Sequence, residues 1–323
     1  MSDHLPSGER FKVTSDTVPV LITWDVDPSP WLTQDRRKSA VRMALDLCNE
    51  VGIQTTFLFV AKHASQYTEE IQQLRNADQE IGCHGLTHGD EEEYPHMPAA
   101  QQRTYIEEAT GILESLVGTP IRTFRGPRVK ISHHALKVLA ECGYWSDCSV
   151  CSQRIDFISS NLINRNWVFA PRLPYRPSKT SAFKKGDLPI WEIPVSALIV
   201  PFISTSLNIF GLWFMKLFLA TLYRESKRTG KPIVYLAHTS DFMFLFDDKS
   251  TGDRFSWSEL SPEYIWTHGI AARRMLYRTK GTDLWKRTRA LFTYALSLPG
   301  VEFMTVQEYV RNKLGIPVAQ NYE

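Results

Sequence analysis

The sequence predicts an α/β protein, a parallel sheet or barrel with helices packed outside it. Two observations carry this. Short apolar runs rich in β-branched and aromatic residues alternate with amphipathic stretches along most of the chain, as expected of parallel strands joined by crossover helices. Polar, chemistry-bearing side chains stand at the ends of those runs, where α/β folds collect function. The 323 residues, 43% hydrophobic and 22% charged, suffice for a substantial core without disulfides or metals.

"VPVLITWDVD" (Val18 to Asp27) reads as a buried strand ending in acid. Between Arg36 and Val51, Val41, Ala44, Leu45 and Cys48 form a helical stripe that Gly52 closes. "TTFLFVA" (Thr55 to Ala61) is a second strand, and a polar helix follows around Glu69 to Ala77. A brief strand near Ile81 precedes a helix from Pro98 to Val117 with Ile106, Ala109, Leu113 and Leu116 on one face. "IRTFRGP" is strand then turn, and Ala135, Val138, Leu139 and Cys142 mark a helix stopped by Gly143. "IWEIPV", "PIVYLAH" and "VEFMT" read as strands, with helices from Leu212 to Thr229 and from Asp283 to Ser297. There is no internal repeat and no low-complexity linker, so one domain is expected. An aperiodic stretch rich in Arg, Pro and Asn, residues 155–185, reads as an insertion.

A net charge of +2 gives no pull toward nucleic acid. Five cysteines, an odd number without framework spacing, point to a reduced, cytoplasmic protein. Cys148 and Cys151 form a CxxC with no second pair, which argues against a zinc or redox motif. The polar start "MSDHLPSGERFKVTSDT" offers no signal-peptide core. Residues 193–215 contain no charged residue, but two prolines, a glycine and an asparagine break the run. A buried strand, loop and helix is the first expectation, with peripheral contact to lipid or an apolar substrate as the alternative.

The quoted strands end in Asp25 and Asp27, His84 and His88, Arg125, and His238. Each has an ordinary structural reading taken singly, as a cap, a satisfied histidine or an ion-pair partner. Their coincidence at one rim favours function. Gly82, Gly85 and Gly89 make a helix through "EIGCHGLTHGD" costly, so the two imidazoles sit on a loop. Two imidazoles and a carboxylate suit a divalent transition metal with open positions. Asp25 and Asp27 share a strand face, so one can bind metal while the other serves as a base.

With those residues in view, the chain resembles the polysaccharide deacetylases, the NodB-homology group of carbohydrate esterase family 4, from about Val18 to Val310. "TWDVD" is similar to the family's Thr-Phe-Asp-Asp motif and "HGLTH" to its His-Ser/Thr-x-x-His. "RGP" is similar to its Arg-x-Pro, "GYWSDCS" to a Gly-Tyr-x-Tyr-Asp-Ser-Ser segment, and "LAH" to its Leu-x-His. The resemblance implies a single deformed (β/α) barrel of about seven strands with outer helices. It would span residues 18–313, between an N-terminal extension (1–17) and a C-terminal tail (314–323).

The resemblance also implies roles. Asp27, His84 and His88 would bind one divalent ion, zinc first, with cobalt, nickel or manganese as alternatives. Asp25 would be the general base, Arg125 its orienting partner and His238 the general acid, with Asp147 either a support for His238 or a stabiliser of its own turn. Pro127, Arg172, Tyr175, Arg176 and Trp213 are the candidate substrate contacts, the arginines for an anionic or phosphorylated sugar. Two departures stand out. Val26 separates two acids that most members have adjacent, which allows Asp25 and Asp27 to exchange roles, and Gly85 replaces a hydroxyl residue. The implied reaction is removal of an N-acyl group, acetyl or formyl, from an amino sugar that is polymeric or lipid-linked. Cyclic-amide hydrolysis is the runner-up, and a non-haem iron oxygenase or a carbohydrate-binding module without catalysis are remoter alternatives.

Overall fold

A computed structural model describes residues 17–30, 32–154, 165–243, 261 and 281–317. The chain alternates strand and helix through β1 (Val18–Val26), α1 (Gln34–Val51), β2 (Thr56–Phe59), α2 (Ala61–Ala64), α3 (Thr68–Asn76), β3 (Glu80–Cys83), α4 (Ala99–Val117), β4 (Thr123–Phe124), α5 (His133–Glu141) and β5 (Ser146–Asp147). A less regular middle follows: α6 (Arg165–Phe169), the hairpin β6 (Pro177–Ser178) and β7 (Ser181–Lys185), β8 (Trp191–Glu192), and the pair β9 (Ala197–Leu198) and β10 (Val200–Pro201). It closes with α7 (Ser204–Thr229), β11 (Ile233–His238), α8 (Gly281–Leu296), β12 (Val301–Phe303) and α9 (Val306–Tyr309).

Seven strands lie in the order β11-β1-β2-β3-β4-β5-β8, and β12 pairs with the first residues of β1. Every pairing in this sheet is parallel. Parallel strands are covered on both faces and read as continuous apolar runs, and all nine residues of β1 are buried. Among the described residues the row does not close by strand pairing. Irregular chain fills the gap between β8 and β11: the Ser196 N–H donates to Val234 O, the Val234 N–H to Ser196 Oγ, and Ile203 bridges Leu236. This gives the deformed barrel that the motifs imply.

Local chemistry explains the boundaries. Thr33 Oγ1 accepts from the Arg36 N–H at the start of α1, and Gly52 ends it at φ 72°, a left-handed turn suited to glycine. Trp24 stacks on Phe57 at 6.0 Å, meets Phe242 and Phe292, and donates its indole N–H to Thr55 Oγ1. Removing a buried aromatic of this kind costs about 3–5 kcal/mol.

The apolar stretch 193–215 resolves largely as expected. Ile193, Val195, Ala197, Phe202, Leu207 and Met215 are buried. The helix at its end begins earlier than the sequence suggests, at Ser204. It is long and apolar enough to cross a membrane by length and composition, yet its inner face packs on β11 and α8. Of the insertion, residues 165–185 form α6 and the β6–β7 hairpin, whereas 155–164 lie outside the described residues, as do most of the N-terminal extension and residues 318–323 of the tail.

Candidate metal centre and active site

Strand pairing brings the candidate residues together. Asp25 of β1 lies in register with His238 of β11. The Arg125 N–H donates to Cys83 O, which sets Arg125 beside His84. Asp27 follows β1 by one residue. His84 Nε2 stands 3.2 Å and His88 Nε2 3.7 Å from Asp27 Oδ1. His238 Nε2 is 3.6 Å from Asp27 Oδ2, and His84 Nε2 is 3.8 Å from Asp25 Oδ2.

The triad Asp27, His84 and His88 fits a divalent cation on three counts. One ligand atom from each lies within 4.8 Å of the others. Asp27 Oδ1 is buried without a hydrogen-bond partner, a state that costs free energy unless a cation compensates it. His84 Nδ1 is 2.9 Å from the carbonyl oxygen of Arg125. A carbonyl only accepts, so Nδ1 carries the proton and Nε2 presents its lone pair. Burial raises Asp27, but the pull of His88, His84 and His238 outweighs it and holds the carboxyl well below the usual range.

The loop carrying the two histidines is clamped by a residue that the sequence reading missed. Glu92, fully buried, accepts from three successive backbone N–H groups: Leu86 on Oε1 at 2.8 Å, and Thr87 and His88 on Oε2 at 2.7 and 2.9 Å. Tyr94 Oη donates to Oε1 as well. A carboxylate with several N–H donors is a strong acceptor, and it holds His88 at φ 59°. Gly85 is required here. Its φ is 78°, and a Cβ would lie 2.5 Å from Glu92 Oε1 and 2.7 Å from Pro127 Cγ. In "DEEE" Glu92 reads as one of a solvated charge run, so only the fold distinguishes it.

Arg125 is completely buried and spends its guanidinium on three acceptors: Asp25 Oδ1 at 2.6 Å, Thr23 Oγ1 at 2.9 Å and Cys148 O at 2.9 Å. This is the orienting contact to Asp25 that the motifs imply. Behind it lies a second missed residue. Glu192 Oε1 accepts from the Val150 N–H, and its Oε2 is buried with no donor to accept from. It faces Asp147, which accepts from the N–H and Oγ of Ser149. Burial first, then the neighbouring Asp147, push Glu192 well above the usual carboxylate range. Burial raises Asp147 as well, and a proton held on Glu192 would let its Oε2 donate to Asp147 and satisfy both.

Asp147 is thus not placed as a support for His238. Asp241 stands in that position, with Oδ2 3.8 Å from His238 Nδ1 and accepting from Ser204 Oγ at 2.5 Å. Burial lowers His238, but Asp241 first, then Asp27 and Asp25, push it up to about 10. The sequence signal for Asp241 is thin: an acid three residues after His238, in the 3₁₀ turn Thr239–Phe242.

The candidate substrate contacts need correcting. Arg172 is committed to Glu225, Gln153 and the carbonyl of Ala197. Arg176 donates to the carbonyls of Leu188 and Asp187. Tyr175 is buried, with its hydroxyl on Ala182 O. These three brace the hairpin region through those bonds. Trp213 is 78% exposed on the outer face of α7. Pro127, buried against Gly85, backs the histidine loop. Cys148 and Cys151 are both buried and form no disulfide with each other.

The sequence profile of the polysaccharide deacetylases matches residues 12–146. No curated protein sequence matches the chain. Among solved structures, a protein from Mycobacterium smegmatis assigned as a polysaccharide deacetylase aligns at TM-score 0.60 and 16% identity, over 99% of this chain and 97% of its own. One assigned likewise from Pseudomonas aeruginosa PAO1 aligns at 0.54 and 15%, over 91% of both. The PuuE allantoinase aligns at 0.54 and 15%, over 91% of this chain and 89% of its own. At these identities the structural likeness shows a shared fold.

Proposed function

We propose that this protein is a metal-dependent hydrolase that removes an N-acyl group from an amino sugar, a reading supported by the match of residues 12–146 to the polysaccharide deacetylase profile. One observation carries the reading. The Asp27–His84–His88 cluster is flanked by Asp25, held by a buried arginine, and by His238, held by Asp241.

A divalent ion bound by Asp27, His84 and His88 would supply Lewis-acid polarisation and a water of lowered pKa. The protein's own groups do the rest. Asp25 takes the proton of the attacking water, and Arg125 keeps Asp25 aimed. As the C–N bond breaks, His238 gives the nitrogen its proton, so a carboxylate and a free amine leave. The carboxylate of Asp241 favours the protonated imidazole until that moment. Zinc is the first choice for this donor set. The five cysteines, none of them in a disulfide, fit a reducing compartment, and a lipid-linked sugar suits a cytoplasmic enzyme of this kind.

The test is deacylation of N-acetylglucosamine oligomers by the purified protein. A chelator is expected to abolish release of acetate and zinc to restore it, with about one ion bound per chain. Turnover that survives full metal removal would refute the reading. Activity confined to cyclic amides would redirect it within the same fold.

A further inference from the structure

We propose that the outer face of α7 is a docking surface for an anionic lipid bilayer. Three large apolar side chains stand out of this helix: Phe210 at 46%, Trp213 at 78% and Leu217 at 52% exposure. Gly211, at φ 81° and ψ 174°, breaks the helical geometry between the first of these and the other two. Trp213, Leu217, Arg224 and Arg228 follow at intervals of four, seven and four residues, which places them on one stripe of a helix with 3.6 residues per turn. The exposed stripe is therefore apolar in its first half and cationic in its second.

The charge distribution selects the occupant. α7 carries Lys216, Arg224, Lys227 and Arg228 against the single acid Glu225, and that acid is turned to Arg172 and Lys231. The adjoining α8 carries Lys286, Arg287 and Arg289 against Asp283, with Arg289 paired to Glu50. The two helices sum to seven cations and two acids, or +5, on a chain whose net charge is +2. Two of the cations rim the apolar patch. Arg287 Nη1 is 3.6 Å from the point where a Gly211 Cβ would sit, and Lys216 Nζ lies 5.0 Å above the Tyr294 ring. An exposed tryptophan flanked by lysine and arginine suits the headgroup boundary, where the indole and the aliphatic stems enter the acyl region and the charges meet lipid phosphate. A protein partner would be expected to meet such a density of cations with acids of its own, whereas a bilayer containing anionic lipid meets it without further design.

The surface is continuous with the site. α7 begins at Ser204, whose hydroxyl donates to Asp241 beside His238. A lipid-anchored substrate would therefore meet the catalytic rim at the start of the same helix. That corollary rests on the hydrolase reading, whereas the docking itself does not.

The experiment is flotation of the full chain with vesicles of phosphatidylcholine alone or with one-third phosphatidylglycerol. The wild type is expected to float with the anionic vesicles and to stay behind with the neutral ones. F210S/L217S and, separately, R224E/K227E/R228E are each expected to reduce the floated fraction at least about tenfold, with unchanged circular dichroism. Brominated lipid is expected to quench wild-type fluorescence more than that of W213F. Absence of flotation on anionic vesicles would overturn the proposal, as would flotation that both variants leave intact. A wild-type dimer that F210S/L217S converts to monomer would overturn it too, by assigning the face to a second copy of the chain. None of these readouts involves turnover, so failure of the hydrolase reading and failure of docking remain distinguishable.

Discussion

Replacing Glu192 by glutamine should stabilise the protein at neutral pH, whereas replacing it by alanine should do the opposite. The buried Glu192 carboxyl keeps a proton that it would surrender in the unfolded chain, where its ordinary value is 4.5. Because folding raises that carboxyl, stability falls as pH climbs above 4.5, by at most about 1.36 kcal/mol per pH unit. The sign follows from proton counting. A carboxyl raised by folding contributes stability that is fully present below its unfolded pKa and is lost as pH rises toward its folded one. Glutamine keeps an acceptor for the Val150 N–H and a donor for Asp147 without any proton to hold. The E192Q advantage should therefore grow from near zero at pH 4 to about 1–3 kcal/mol at pH 8. Alanine strands the Val150 N–H and Asp147 and leaves a void, for a loss of about 3–5 kcal/mol. It should also lower turnover, because Ser149 Oγ, bonded to Asp147, holds the Gly126 N–H next to Arg125. Urea unfolding of the three proteins between pH 4 and 8 measures all of this. If E192Q is as unstable as E192A, or follows the wild-type pH dependence, then Glu192 is ionised and the pairing argument is wrong.

Asp25→Asn should leave zinc content close to wild type, measured by atomic absorption, while turnover falls roughly 10²–10⁴-fold; an empty site would mean that Asp25 and Asp27 have exchanged roles. Asp241→Asn removes the anion that most favours the His238 imidazolium, so the basic limb of the pH–rate profile should move to lower pH, and an unmoved limb would exclude Asp241 from tuning the acid. Gly85→Ala forces a Cβ into Glu92 and Pro127 at a left-handed φ, and should cost about 1–3 kcal/mol with weakened metal binding, read by calorimetry; wild-type affinity would show that the clamp is dispensable.

The residues legible in the sequence are those whose signal is local. Asp25, His84, Arg125 and His238 each close a recognisable strand, and parallel pairing delivers strand ends to one rim whatever the loops do. What stayed hidden depends on contacts that local pattern does not encode. Glu92 gains its role only when residues 86–88 fold back onto it, and Glu192 meets Asp147 across 45 residues of sequence through the pairing of β5 and β8. The same cause undid Arg172 and Arg176. Arginine in a proline-rich loop resembles an anion site until Glu225 and the hairpin carbonyls are found to occupy its donors. Helix α7 starts eight residues before its sequence pattern does, because Ser204 to Gly211 mixes hydroxyls, asparagine and a glycine with apolar residues.

The carboxylate of Glu92 gathers three consecutive amides using protein atoms alone. The ordering entropy of that loop is therefore met during folding and need not be drawn from ion capture. Such a centre should load and unload without unfolding, and its preference among zinc, cobalt, nickel and manganese should follow donor softness and availability rather than the work of closing a loop.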